Sequence, residues 1–154
     1  MRCPSCGSEE NKVLESREVD EGLAIRRRRQ CLACKTRFTT YERVEIVYLM
    51  IVKKDGNRES YDRNKLARGI YRAFEKRPIP IEKIELLISR IEQQIQAEGT
   101  TELLSSQLGK LVMAEIMSTD PVAYVRFASV YRSFTDIASF ELELKNLKKN
   151  KKNK

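Results

Sequence analysis

At 154 residues the chain has room for one ordinary domain, or for a small one joined to a medium one, and its formal charge of +8 marks a basic chain. It contains no histidine, which removes imidazole as a metal ligand, general base or nucleophile. No run of about 18 apolar residues and no hydrophobic export segment ahead of Cys3 is present, so a soluble, cytoplasmic protein is expected.

The excess charge is uneven. Residues 1–45 carry 10 basic and 8 acidic side chains, residues 46–140 carry 14 and 12, and residues 141–154 carry 6 and 2, so the last segment supplies half of it. The first segment is also too short and too poor in apolar residues to build a self-sufficient core, and it needs a staple. Its cysteines supply one. They fall in two knuckles, Cys3-Pro4-Ser5-Cys6 and Cys31-Leu32-Ala33-Cys34, with 24 residues between. That spacing lets two pairs of thiolates approach one tetrahedral zinc at about 2.3 Å. A thioredoxin-like redox pair and a disulfide pair are the competing readings. Two such motifs, without a βαβ pattern or a secretion signal, disfavour both. Cys3, Cys6, Cys31 and Cys34 are therefore expected to hold one Zn2+, and four thiolates leave no open position for catalysis.

In chain order, Lys12–Arg17 and Leu23–Arg26 read as short strands about an Asp20-Glu21-Gly22 turn, and Phe38–Tyr41 as a third β-prone run. Together they predict a zinc ribbon. Val44, Ile46, Val47, Leu49, Ile51 and Val52 then read as a buried strand, and Lys54-Asp55-Gly56-Asn57 turns it into a hairpin with Arg58–Tyr61. Asp62 caps a helix bearing Leu66, Ile70, Ala73 and Phe74, which Pro78 and Pro80 stop. A second helix follows from Ile81 to Gly99, and a third is capped by Ser105 or Ser106. Asp120-Pro121 starts a fourth, long helix through Val122, Val125, Ala128, Phe134 and Ile137. The expected class is α+β, with a domain at 1–45, a mainly helical domain at 46–140 opening on a β-hairpin, and a helix end and disordered lysine-rich tail at 141–154.

Arg26, Arg27, Arg28 and Arg29 run into Gln30-Cys31. Strand alternation puts Arg26 and Arg28 on one surface and Arg27 and Arg29 on the other, and either pair could reach DNA. Arg17, Lys35 and Arg37 could extend the patch. Four like charges beside a metal site are costly unless an anion offsets them, which favours a nucleic-acid surface over a merely solvated run. The basic hairpin around Lys53 and Lys54, with Arg58, Glu59 and Lys65, is a weaker signal. No phosphate-binding glycine motif accompanies it, and composition alone leaves a solvated turn. Tyr124, Phe127, Tyr131 and Phe134 recur at helical spacing and read first as core.

Taken in series, Cys3-Pro4-x-Cys6-Gly7, Ser16-Arg17, Arg26–Cys31, Arg37–Glu42 and Val122–Tyr131 resemble the bacterial transcriptional repressors of ribonucleotide reductase genes, a zinc ribbon followed by an ATP-cone. The resemblance covers nearly the whole chain and implies a non-enzymatic regulator. Its ribbon would bind paired operator boxes on double-stranded DNA through Arg17, Arg26, Arg27, Arg28, Arg29, Lys35 and Arg37. Its cone would bind ATP or dATP, with Mg2+ a candidate companion, and would control self-association into dimers and higher oligomers. Residue by residue, it places Val52, Lys53 and Lys54 at base and phosphates, Glu59 and Lys65 around them, and Tyr124 or Tyr131 as the closure. Lys54 departs from the arginine, and Tyr61 from the phenylalanine, that are usual in ATP-cones. The protein would act in the bacterial cytoplasm, nucleoid-associated when on DNA. A zinc-ribbon accessory protein that binds RNA or a protein partner, with the helical half as a dimerisation module, is the alternative.

Overall fold

The computed structural model describes residues 1–46, 48–132, 134 and 136–152, and of residues 146 and 148–152 the backbone alone. The chain divides into two compact units, Met1–Glu45 and Ile46–Lys154.

The first unit is a three-stranded antiparallel sheet in the order β1-β2-β3: β1 spans Asn11–Val19, β2 Ala24–Cys31 and β3 Arg37–Arg43. A single 3-10 turn at Asp20–Gly22 joins the first two strands. Gly22 turns there at φ 88°, in the left-handed region glycine enters freely. Only Cys3, Ala24 and Cys31 are buried apolar residues in this unit, whereas Val13, Leu14, Leu32 and Tyr41 are exposed. A core that small cannot hold a sheet by apolar burial.

The second unit opens on a small sheet in the order β5-β4-β6, with β4 at Met50–Val52, β5 at Arg58–Ser60 and β6 at Glu102–Leu104. The β4–β5 pair is the expected hairpin, closed by Gly56 N–H donating to Lys53 O at 3.1 Å. The expected strand is shorter than its apolar pattern suggested. Val44 is exposed, Tyr48 is 86% exposed at φ 66°, and Val47 lies outside the described residues. The third strand, β6, pairs parallel to β4 with Ile51 opposite Leu103, and no sequence signal announced it.

Five helices complete the described residues of this unit, with β6 lying between the second and the third: α1 Arg63–Phe74, α2 Ile81–Glu98, α3 Ser105–Thr119, α4 Pro121–Tyr131 and α5 Ile137–Lys152. Asp62 caps α1 as expected, accepting from Asn64 N at 2.8 Å. Neither Ser105 nor Ser106 caps α3; the cap position is Leu104, whose N–H donates to Gln107 Oε1 at 3.0 Å. The long fourth helix is two helices. It stops at Tyr131, and Asp136 Oδ1 accepts from Ser139 N at 2.6 Å to start α5. The backbone of the lysine-rich tail, expected to be disordered from Lys148 on, continues α5 through Lys152; the first turns of α5 are anchored by Phe140, edge-on against Phe134, and by Glu143, which accepts from Tyr124 of α4 and from its C-cap Arg132. Residues 153 and 154 of that tail lie outside the described residues.

The core joins Ile51 and Leu103 of the sheet to Ile70 and Phe74 of α1, Ile84, Ile88, Ile91 and Ile95 of α2, Val112 and Ile116 of α3, and Ala123 and Ala128 of α4. The α2 residues recur every three or four positions, which lines one face of a helix. Two buried carboxylates tie the helices together. Glu92 of α2, 8% exposed, accepts from Tyr61 Oη and Arg63 Nε, both at 3.0 Å, while Arg63 Nη2 donates to Glu85 Oε2 at 2.9 Å. Asp120, 5% exposed, caps α4 through Oδ1, accepting from Val122 N and Ala123 N at 2.8 Å, and takes the Arg77 guanidinium on Oδ2 at 2.9 and 3.0 Å. Burial alone would raise the Asp120 carboxyl, but the Ala123 N–H, the Arg77 guanidinium and the Val122 N–H outweigh it and hold the group below its usual 3.8.

Asp120→Ala is expected to lower the stability of the helical unit by about 2 kcal/mol at pH 7, the combined loss of a cap and of Arg77's partner. A depressed carboxylate stabilises above its unfolded pKa and loses that contribution as pH falls through the folded value, so the gap between wild type and variant should close below about pH 4. Urea melts of the two proteins at pH 7 and pH 3 measure it, and an equal gap at both pH values would contradict the account.

Candidate metal centre, basic strand face and nucleotide pocket

The two knuckles of the first unit are built alike. Gly7 N donates to Cys3 O at 2.9 Å and Lys35 N to Cys31 O at 3.1 Å, and the residues closing the two turns, Gly7 and Lys35, have φ 74° and 63°. Cys3 N donates to Ser8 O and Cys31 N to Thr36 O, so each cysteine pair projects from the same backbone curl. Lys35 is a lysine in left-handed backbone, and its Nζ donates to Leu32 O at 2.7 Å. The side chain expected to extend the DNA patch thus closes its own knuckle.

The four sulfurs of Cys3, Cys6, Cys31 and Cys34 lie within 4.8 Å of one another, with Cys3 to Cys34 and Cys6 to Cys31 each at 3.6 Å. A tetrahedral Zn2+ with bonds of about 2.3 Å places its sulfurs about 3.8 Å apart. The donor set fits the metal. Its surroundings fit thiolates as well, with Ser5 N–H 3.4 Å from the Cys3 sulfur and Thr36 Oγ1 3.3 Å from that of Cys34.

The register of the sheet sorts the four consecutive arginines. Arg26 stands across from Arg17 on β1 and Tyr41 on β3, and Arg28 across from Glu15 and Thr39; residues so paired share a face. Gln30 of the same face stands across from Arg37. Arg27 and Arg29 occupy the opposite face and meet Glu42 there. Arg27 donates to that carboxylate, and Arg29 lies 4.0 Å from it while donating to Thr40 Oγ1 and Asn11 Oδ1 at 3.1 Å. Among the described residues, Arg17, Arg26, Arg28 and Arg37 have no carboxylate partner. Tyr41, which sequence reasoning did not single out, joins their face 51% exposed, with the Arg43 guanidinium 4.8 Å from its ring centroid. The signal that could have found it is the alternation itself, since Tyr41 and Arg37 are four apart on one strand.

In the second unit a cavity of about 180 Å3 is lined by the first hairpin, the start of α1, and facing residues of α3 and α4. Its polar end is an ion triad. Glu59 takes Lys53 Nζ at 2.8 Å and Lys65 Nζ at 2.8 and 2.9 Å, which holds the glutamate below its usual value, Lys53 acting first and Lys65 second. The same contact raises Lys65. Its apolar end is walled by Leu108, Val112, Phe127 and Tyr131. Of the residues expected around a nucleotide, Lys53, Glu59, Lys65 and Tyr131 are therefore together. Val52 and Lys54 are adjacent in the hairpin but do not line the cavity. Tyr124 does not line it: buried, it donates to Glu143 of α5, and burial followed by that contact pushes its phenol up to about 12. Phe127 takes the second aromatic place.

A metal-stapled strand module joined to a helical nucleotide-binding module defines the class of nucleotide-responsive DNA-binding regulators. Residues 1–42 match the model of the N-terminal domain of NrdR-like transcriptional repressors, and residues 49–137 match that of the ATP cone domain. The chain is 56% identical to the transcriptional repressor NrdR of Myxococcus xanthus over 148 residues, covering 96% of this chain and 88% of that one. It is 53% identical to those of Petrotoga mobilis, over 96% of this chain and 99% of the relative, and Alkaliphilus metalliredigens, over 98% and 97%. The chain belongs to the NrdR family of transcriptional repressors. It is a regulator and not an enzyme, and the accessory-protein alternative falls away.

Cys31→Ser should abolish stoichiometric zinc and unfold residues 1–45 while the helical unit keeps its own cooperative transition, because the ribbon has almost no other core. Metal analysis and the far-UV circular dichroism of the full chain test this. Full zinc content in the variant would refute it.

Proposed function

We propose that this protein represses ribonucleotide reductase genes by placing pairs of zinc ribbons on paired operator boxes, with ATP or dATP in the cone setting how many subunits assemble. The observation that carries the reading is the charge sorting on β2. Glu42 neutralises one face of an arginine run, and the other face keeps Arg17, Arg26, Arg28 and Arg37 beside a half-exposed Tyr41. Such a face suits phosphates and guanine edges, which arginine grips bidentately. Arg27 and Arg29 then hold the strand face rather than DNA.

The nucleotide site is proposed at Lys53, Glu59, Lys65, Phe127 and Tyr131. The two ammonium groups meet the phosphates, and Mg2+ accompanies the nucleotide because two lysines sharing a glutamate leave triphosphate charge uncompensated. The rings face the purine. ATP and dATP switch the assembly only by binding its two forms with different affinity, and paired ribbons on one oligomer gain effective concentration over single ones. No helix among the described residues is long and apolar enough to cross a membrane, which accords with a proposed cytoplasmic, nucleoid-associated location.

Four phosphate contacts per ribbon should give log K a slope against log salt of about −3.6 for each ribbon bound, about −0.9 per contact. Arg28→Ala is expected to reduce that slope by about 0.9, and Arg27→Gln to leave it unchanged. Filter-binding or anisotropy titrations on a reductase promoter fragment read both, and equal changes in the two variants would overturn the assignment of faces. Lys65→Ala should weaken ATP and dATP at least about tenfold and spare zinc, since a charge-assisted contact to phosphate is worth roughly 1.5–3 kcal/mol. Isothermal titration showing wild-type affinity would remove Lys65 from the site.

A further inference from the structure

Gly109 lies buried inside α3, where glycine costs about 1 kcal/mol against alanine. Its neighbour explains its presence. The ring of Tyr131, the last residue of α4, packs directly against it, and a Cβ at position 109 would overlap the ring's Cζ, Cε2 and hydroxyl oxygen. That hydroxyl donates to Ser105 O and Ser106 O, both at 3.0 Å, on the first turn of the same helix. Phe127 stacks against the same ring, with centroids 6.0 Å apart and planes 19° from parallel. The ring is thus fixed by a glycine, by two carbonyls at its tip and by a second ring. In that seat Tyr131 and Phe127 form a wall shared by two cavities. One, of about 180 Å3, holds Lys53, Glu59 and Lys65; the other, of about 410 Å3, is lined by Gly69, Arg72, Arg126 and Val130.

We propose that Gly109 is a positioning residue for the nucleotide site: by presenting no side chain it seats Tyr131 against α3, and that seat sets the cavity facing the two lysines. The inference rests on the nucleotide reading of this cavity. A methyl group at 109 cannot be absorbed by the helix, whose backbone is fixed, so the ring must leave. Moved one way it fills the small cavity. Moved the other, it takes away the surface on which a purine would lie. Either displacement weakens binding without touching a phosphate contact.

The test is a double-mutant cycle on the full chain, with ATP affinity by isothermal titration and helical stability by thermal melts. Gly109→Ala is expected to weaken ATP at least tenfold. Tyr131→Ala also weakens it, and the double variant should match Tyr131→Ala within twofold, because the seat no longer has an occupant. In the Tyr131→Ala background the alanine at 109 should raise the melting temperature, since its helix propensity is then unopposed. If Gly109→Ala alone does not fold, refolding by the added Tyr131→Ala supports the same contact. Wild-type affinity in Gly109→Ala, an equal further loss in the Tyr131→Ala background, or failure of both single and double variants to fold overturns the proposal. A wild-type protein that binds no ATP overturns the nucleotide site itself, whereas ATP binding by wild type with an indifferent Gly109→Ala overturns only this inference.

Discussion

Four sulfurs within 4.8 Å of one another are the constraint on which the first unit depends. The ribbon buries Cys3, Ala24 and Cys31 and little else, so two of its three core residues are also donors to the centre. Apolar burial at roughly 25 cal/mol per Å2 cannot hold three strands on so little area, whereas a tetrathiolate zinc converts its binding free energy into folding free energy. The two knuckles are equivalent in backbone, each closed by a left-handed residue and an N–H to the first cysteine's carbonyl. Lys35 occupies the position that Gly7 fills in the other knuckle, and the bond from its Nζ to Leu32 O offsets part of that strain.

The staple fixes a sheet, and the sheet divides the charge. Four consecutive arginines would repel one another on a helix or in a loose coil. On a strand they part to two faces, and a single glutamate on the neighbouring strand takes one pair. What remains is a face whose Arg17, Arg26, Arg28 and Arg37 have no carboxylate partner among the described residues, held in place because β2 ends in a knuckle at Cys31. Binding an anion to such a face relieves repulsion already present in the free protein, which is an electrostatic bias toward DNA independent of sequence.

The helical unit uses the same economy around Glu59. That carboxylate holds Lys53 and Lys65 together, so the two ammonium groups converge on one end of the cavity, as the proposed phosphate site needs. Hairpin, α1, α3 and α4 all contribute to the cavity, and two of them are anchored elsewhere: α1 through Arg63 to Glu92 and Glu85, α4 through its Asp120 cap to Arg77. A ligand in that cavity would therefore touch elements that also carry the helix packing, as the proposed ligand-dependent change of assembly requires.

Local rules made much of this readable from residues alone. Knuckle spacing gave the metal donors, Asp62 and Asp120-Pro121 gave two helix starts, the Asp55-Gly56 turn gave the hairpin, and the period of the α2 isoleucines gave its buried face, because each depends on neighbours within a few positions. Tertiary structure alone decided what depends on partners far along the chain. The pairing of β6 with β4 joins residues some fifty positions apart, and the split of the last helix shows in sequence only as an Asp136 cap. That Phe127 and not Tyr124 lines the cavity goes with the bond Tyr124 makes to Glu143 of α5. Which two arginines stay free was decided by Glu42 across the sheet, and the need for glycine at 109 by a ring on the next helix. Periodicity fixes the faces an element has; only packing decides what each face meets.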